Sequence, residues 1–163
     1  MTAIDALLAA NSVFATDFVP VPAGAPRLAI VLCMDARIDP IRALGIPPGH
    51  AHIIRNAGGR VVEAFRSLAV SQQVMGTEEV AIVHHTECGM QTFTDEELRT
   101  RLRERLGTDT DRLEFHTFSD LQESVRYDLS LYRRTPFLRQ DIPVRGFIYD
   151  AASGRLSEIA ESE

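Results

Sequence analysis

The chain has 163 residues, the length of one ordinary domain, and its 45% hydrophobic and 25% charged residues exclude a disordered protein. The net charge of −6 argues against a nucleic acid or an anionic membrane as a partner, because both bind basic surfaces. All 17 basic residues are arginine, which excludes enzymes that need a phosphate-binding or Schiff-base lysine.

The predicted elements alternate between apolar runs typical of buried strands and helices with one apolar face. This alternation predicts an α/β fold with a mainly parallel sheet flanked by helices. Residues 115–118 are compatible with either a strand or a loop. In chain order we predict a helix at 3–16, a strand within RLAIVLCMDAR at 27–37 and a helix at 40–44 after the N-cap Asp39. A strand ending near Ile54, a helix at 60–76 with Gly76 as C-cap and a strand at 78–86 follow. The last elements are helices starting at the capping pairs Thr94–Glu97 and Ser119–Gln122, and a strand, turn and return strand within 143–159.

The first helix is separated from the first strand by a segment rich in proline, which ends the helix. We interpret residues 1–26 as an N-terminal helical arm that packs on a neighbouring subunit. The rest of the chain has no linker and no repeat, so we expect residues 1–163 to form a single domain.

We expect a cytoplasmic protein. The N-terminus lacks the basic start of a secretion signal and carries Asp5 within its apolar stretch. The longest apolar run, at 28–34, is far shorter than the roughly 20 residues that span a bilayer. In a reducing compartment, Cys33 and Cys88 indicate metal binding or catalysis rather than a disulfide.

Candidate site residues follow two predicted strands, at the carboxyl ends where α/β sheets bind their ligands. Cys33, Asp35 and Arg37 follow the first strand and would share one face of an extended chain. His85 and Cys88 follow the third strand, three residues apart. Two thiolates and one imidazole form a tetrahedral zinc set with one open position, as in catalytic sites. The alternatives are ordinary buried cysteines and an ordinary surface ion pair.

Gly58 and Gly59 connect the second strand to the following helix. Glycine allows a close backbone approach, and a helix N-terminus offers free N–H groups. We interpret this corner as a substrate-binding contact for a small anion near the metal, the alternative being a plain connection without a ligand. His84 should point away from His85 and serve in packing or at the surface.

Four motifs together resemble, in order and spacing, the β-class carbonic anhydrases, and in particular the short prokaryotic branch with CMDxR. They are CMDAR at 33–37, HIIRNAGGR at 52–60, HHTECGM at 84–90 and GFIYDAASGRL at 146–156. The resemblance extends from about residue 27 to 160. It implies a parallel sheet of four strands in the order 2-1-3-4 with a fifth edge strand. It also implies a homodimer or homotetramer whose N-terminal helix reaches onto the partner.

The resemblance further implies a Zn²⁺ cofactor held by Cys33, His85 and Cys88, with Asp35 and Arg37 as the catalytic pair. The implied reaction is the reversible hydration of carbon dioxide to bicarbonate by hydroxide formed at the zinc. Released from Arg37, Asp35 could become a fourth zinc ligand. Carbonyl sulfide and carbon disulfide hydrolases resemble the same family and keep its zinc motif, so these substrates stay open as alternatives. A non-catalytic zinc-binding protein is disfavoured, since zinc binding alone needs no Asp35–Arg37 pair.

Overall fold

The computed structural model describes residues 2–21, 24 and 26–160; parts of the predicted arm and of the chain end therefore lie outside the described residues. The strands are β1 (Leu28–Cys33), β2 (Ala51–Asn56), β3 (Glu79–His85), β4 (Val144–Tyr149) and β5 (Leu156–Ile159). The α-helices are α1 (Ala3–Phe14), α2 (Pro40–Leu44), α3 (Val61–Gln73), α4 (Asp95–Leu106) and α5 (Leu121–Arg133).

The five strands form one sheet in the order β2-β1-β3-β4-β5. Strands β1 to β4 are parallel, and β5 runs antiparallel to β4 at the edge. The expected fold class and the order 2-1-3-4 with a fifth edge strand are therefore confirmed. Because β1 and β3 are adjacent and parallel, their carboxyl ends lie side by side at one edge of the sheet.

One face of the sheet is covered by α3 and α5. Strand β1 is buried from Ala29 to Cys33, as its unbroken apolar run predicts. Helix α5 approaches β4 so closely that a Cβ at Gly146 would lie 2.5 Å from a methyl carbon of Val125. The main core therefore lies between the sheet and these two helices, and it fixes the strand ends from one side.

The other face of the sheet has a smaller core around Ile30, Leu32 and Val83. Beside this core lies an apolar cleft of about 400 Å³. The walls of the cleft include Leu28, Ile30, Leu44, Ile46 and Phe147. In the isolated chain this face is thus less completely covered than the face under α3 and α5.

Helix α1 has no buried residue. Its apolar side chains are 63–72% exposed, namely those of Ile4, Leu7, Leu8, Val13 and Phe14. It ends at Phe14, two residues before the predicted end. Among the described residues, no helix combines the length and the apolar character that crossing a membrane requires.

Two further predicted boundaries were wrong. Helix α3 ends at Gln73 with Val74 as C-cap, and Gly76 lies in the following turn at a φ of +82°. Strand β2 continues to Asn56 instead of ending near Ile54. Residues 115–118, for which the sequence left a strand or a loop open, belong to neither a helix nor a strand and form a loop.

The two predicted capping boxes had different outcomes. The box of Thr94 and Glu97 is confirmed, with both reciprocal hydrogen bonds present. The box of Ser119 and Gln122 is wrong, because Asp120 is the N-cap of α5 and accepts a hydrogen bond from the N–H of Glu123. Both Ser and Asp are good N-caps, so the pattern alone could not choose between adjacent positions.

Candidate active site

The carboxyl ends of β1 and β3 bring together Cys33, His85 and Cys88, called here the ligand group. The three residues are buried, and one ligand atom from each lies within 4.8 Å of the others. The two sulfurs are 3.9 Å apart, too far for a disulfide bond of about 2.05 Å. Two sulfurs each about 2.3 Å from one tetrahedral zinc ion would be about 3.8 Å apart. The ligand group can therefore hold a metal ion without a large rearrangement.

His85 has the hydrogen bonding of a metal ligand. Its Nδ1 donates to the main-chain carbonyl of Thr86 at 2.8 Å. In the neutral ring this leaves a lone pair on Nε2, and that atom is buried without a hydrogen-bond partner among the described residues. A buried nitrogen is rarely left unpaired, and a metal ion at the ligand group would satisfy it. The chemistry of the donor set thus fits a metal.

The pKa values of the three side chains in the ligand group are shifted by their contacts with one another. The hydrogen bond with Cys88 lowers the pKa of Cys33, against the effect of burial, and raises the pKa of Cys88. Burial alone would lower the pKa of His85, but the adjacent Cys33 thiolate raises it overall. One sulfur of the pair is therefore readily ionised even without a metal, and a bound metal would favour loss of the second proton.

Asp35 and Arg37 lie beside the ligand group in a turn. Strand β1 ends at Cys33, so the expected extended alternation through Asp35 and Arg37 is wrong. Instead, Asp35 Oδ1 accepts the main-chain N–H of Arg37 at 2.9 Å, and the guanidinium donates to Asp35 through Nε and Nη2 at 3.1 and 2.8 Å. These hydrogen bonds lower the pKa of Asp35 to about 2. The other carboxylate oxygen, Oδ2, lies 3.9 Å from His85 Nε2.

Two further residues support this turn and were not predicted. Arg55 donates to the carbonyl of Cys33 at 2.9 Å and to the carbonyl of Asp35 at 2.6 Å. Glu87 contacts Arg37 through both its carboxylate and its carbonyl, at 3.0 and 3.2 Å. The positions of Arg55 in HIIRN and of Glu87 between two ligands are the only signals that the sequence offers for them.

Gly58 and Gly59, in the connection between β2 and α3, have different surroundings. Gly59, at a φ of +70°, lies against β1, where a Cβ would be 2.9 Å from the main-chain nitrogen of Cys33. Gly58, at a φ of +79°, is among the residues that line a pocket of about 430 Å³ next to the ligand group. The side chains of Met34, Met90 and Phe93 form apolar parts of this pocket. Substrate contact at Gly58 and Gly59 stays a prediction.

Behind the ligand group, His84 takes part in a buried network with Ser124, Asp128 and Arg60. His84 Nδ1 is 2.7 Å from Ser124 Oγ, and Nε2 is 3.1 Å from Asp128 Oδ2. Asp128 also accepts the N–H of Val61 at the start of α3, and it forms an ion pair with Arg60 at 3.2 Å. His84 therefore has the packing role that was one of its two expected roles.

Comparison with known proteins identifies the family. The family described as "Carbonic anhydrase" matches residues 28–156. The protein named Beta-carbonic anhydrase 1 of Mycobacterium tuberculosis is 41% identical over 163 residues, covering 98% of this chain and 99% of that protein. A crystal structure of carbonic anhydrase from Streptococcus mutans matches with a TM-score of 0.91 at 41% identity, covering 98% of this chain and 99% of the other. A carbon disulfide hydrolase of Acidianus sp. is 31% identical over 154 residues, covering 80% of this chain and 76% of that protein. The chain belongs to the β-class carbonic anhydrase family.

Proposed function

We propose that this protein catalyses the reversible hydration of carbon dioxide to bicarbonate with a Zn²⁺ ion held by Cys33, His85 and Cys88. The observation that carries the proposal is the buried Nε2 of His85, which has no hydrogen-bond partner among the described residues and belongs to a group whose ligand atoms, one from each residue, lie within 4.8 Å of one another. The 41% identity to a β-carbonic anhydrase over nearly the whole of both chains supports the same reaction. Two sulfurs and one nitrogen suit zinc and leave one of its four positions open.

When bound, zinc lowers the pKa of a water molecule to about 7 and so supplies a nucleophile near neutral pH. The protein contributes the position and direction of the attack. With its pKa lowered to about 2, Asp35 is ionised at neutral pH and can only accept a hydrogen bond. It accepts the hydrogen of the attacking oxygen and thereby directs the oxygen lone pair toward the carbon of the substrate. Arg37 keeps this carboxylate oriented.

The pocket next to the ligand group suits a small uncharged substrate. Met34, Met90 and Phe93 offer apolar surface, against which carbon dioxide can bind without a polar anchor. The backbone at Gly58 and Gly59, just before α3, is our candidate for the contact with the bicarbonate product. The cycle would close when bicarbonate leaves, a new water molecule takes its place and the proton lost by that water passes to buffer.

The function is tested by elemental analysis and a stopped-flow assay of CO₂ hydration on the same purified sample. We expect about one zinc ion per chain and a hydration rate that depends on it. Removal of the metal with a chelator should abolish activity, and added Zn²⁺ should restore it. A fully zinc-loaded protein without hydration activity would contradict the proposal.

Hydrolysis of carbon disulfide or carbonyl sulfide is the second candidate. It is favoured by the 31% identity to a carbon disulfide hydrolase, and it needs the same nucleophile. The two activities differ in the shape of the pocket rather than in the ligand group. Values of kcat/KM for CO₂, carbonyl sulfide and carbon disulfide on one sample decide between them. We expect CO₂ to be preferred, since the more similar relative is a carbonic anhydrase.

We also propose that the chain is one cytoplasmic domain that forms a homodimer or homotetramer, with the arm of one subunit docked on the next. A helix of 12 residues is close to the limit of stability in isolation, and α1 has no buried residue. The apolar cleft of about 400 Å³ on the less covered sheet face offers a surface of matching character. Light scattering should show a weaker oligomer after deletion of residues 1–18. An unchanged oligomer would contradict the docked arm.

A further inference from the structure

Glu87 contacts Arg37 from the far side of the site. Its Oε2 accepts from Nη1 at 3.0 Å, and its main-chain carbonyl accepts from Nη2 at 3.2 Å. Asp35 occupies the adjacent edge of the same guanidinium, through Nε and Nη2, so Nη2 donates to both residues. Two adjacent edges of the guanidinium are thus bound, one by the segment that follows β1 and one by the segment that follows β3.

The backbone conformation of Glu87 is unfavourable for a residue with a side chain. Its φ is +56°, and among the described residues His116 is the only other non-glycine residue with a positive φ. Glycine would adopt this conformation without strain, but it would offer no carboxylate. The residue at this position combines a strained backbone with a side chain that contacts Arg37, which indicates that the carboxylate has a use there.

We propose that Glu87 is a positioning residue that fixes the guanidinium of Arg37 and, through it, the carboxylate of Asp35. The side chain of Arg37 is 54% exposed, so a guanidinium held on one edge only would retain more of its rotamer freedom. A shift of the guanidinium would move the acceptor that directs the attacking oxygen, and small misplacements of such groups slow reactions strongly. The kinetic consequence rests on the proposed function, whereas the positioning itself does not.

The effect is expected on turnover rather than on stability. The side chain of Glu87 is 66% exposed, and exposed ion pairs contribute little to the free energy of unfolding. Glu87 is not part of the ligand group, so zinc content should not change when its carboxylate is removed. These two quantities separate positioning from a general structural role.

The first test compares substitutions of Glu87 in the zinc-loaded protein. We expect Glu87→Gly, which keeps the backbone conformation accessible, to lower kcat about tenfold with KM and zinc content unchanged. Glu87→Gln keeps an acceptor oxygen and should retain most of kcat. The matched control is Glu123→Gln on α5, since Glu123 is equally exposed at 66% and also forms an ion pair with an arginine, Arg126. The control should leave kcat unchanged.

A double-mutant cycle tests whether Glu87 acts through Arg37. In the Arg37→Ala background, Glu87→Gly should have no further effect on kcat, because the group that it positions is absent. The same fall in both backgrounds would overturn the proposal, as would an unchanged kcat in Glu87→Gly alone.

Hydrogen exchange tests the positioning without any turnover. The Nε–H of Arg37 is followed in ¹⁵N-labelled, zinc-loaded protein and is assigned by its absence from Arg37→Ala. We expect several-fold faster exchange in Glu87→Gly than in the wild type or Glu123→Gln. Equal rates would overturn the proposal. If the wild-type protein does not hydrate CO₂, the proposed function is refuted. Faster exchange in Glu87→Gly than in that wild type would still support the role of Glu87.

Discussion

His84 and His85 are consecutive and equally buried, yet their surroundings differ. Both ring nitrogens of His84 have partners on α5, whereas within the described part of the chain His85 has a hydrogen-bond partner for Nδ1 only. Burial alone therefore does not distinguish a structural histidine from a functional one. What distinguishes these two rings is that Nε2 of His85 has no hydrogen-bond partner among the described residues and belongs to a group that includes the two cysteines.

The largest contrast should come from substituting each histidine in turn. His85→Ala should lose nearly all zinc, to below about one tenth of an equivalent after dialysis, together with its CO₂ hydration activity. His84→Gln should retain about one equivalent, because Gln can still hydrogen-bond within the network and the ligand group is intact. Elemental analysis of both variants measures the contrast. Equal loss of zinc from the two would remove the distinction between them.

The buried network should instead dominate stability. Asp128→Ala leaves the ion-pair partner Arg60 and the ring of His84 buried without their carboxylate. Breaking a buried pair in this way costs about 3–5 kcal/mol of the free energy of unfolding. Asp128→Asn should cost less, because it can still accept the N–H of Val61. Urea unfolding measures the free energy of unfolding of both variants. A loss below about 1 kcal/mol in Asp128→Ala would show that the buried network does not stabilise the fold.

Arg37→Ala should lower turnover without the loss of zinc expected for His85→Ala or the loss of stability expected for Asp128→Ala. It should keep the zinc, because Arg37 contacts Asp35 and Glu87 rather than the ligand group. We expect kcat to fall on the order of 10²-fold, as for the loss of a group that orients a metal-site residue. Stability should change little, since Arg37 is exposed. Full activity at neutral pH would exclude Arg37 from the mechanism.

The convergence of Cys33, His85 and Cys88 could be predicted because it follows from topology. Apolar runs without alternation identify buried parallel strands, and the carboxyl ends of such strands share one edge of the sheet. Neither step needs knowledge of a side-chain conformation. The order of the strands, in contrast, came from the resemblance to a family, since periodicity alone does not determine which strands are neighbours.

The partners of the site could not be predicted in the same way. Asp128 is 44 residues from His84 in the chain, and nothing in the pattern of α5 distinguishes it from a surface carboxylate. The contact between Glu87 and Arg37 depends on a positive φ at a residue type that seldom adopts one. The N-cap of α5 was predicted one residue too early, since Ser119 and Asp120 are both suitable N-caps and the local pattern does not choose between them.

The smallest expected effect concerns the loop beside His84. Asp95 accepts hydrogen bonds from the N–H of Phe115 at 2.7 Å and from the N–H and hydroxyl of Thr117 at 3.1 and 2.6 Å. The next residue, Phe118, stacks on His84 with ring centroids 5.6 Å apart. Asp95 therefore fixes a loop that covers the structural histidine rather than the ligand group.

Acid should weaken this loop selectively. Burial alone would raise the pKa of Asp95, but the hydrogen bonds from Thr117 and Phe115 outweigh it and lower the pKa to about 2. Because the folded-state pKa lies below the unfolded value of 3.8, the stabilisation is complete above about pH 5 and is lost as the pH falls toward 2. Asp95→Asn should therefore cost about 1–2 kcal/mol near neutral pH and clearly less at about pH 3. Metal-free proteins are compared by urea unfolding, because acid releases metal from thiolates. A difference between wild type and variant that does not change with pH would mean that the charge of Asp95 has no part in holding the loop, and that only its shape does.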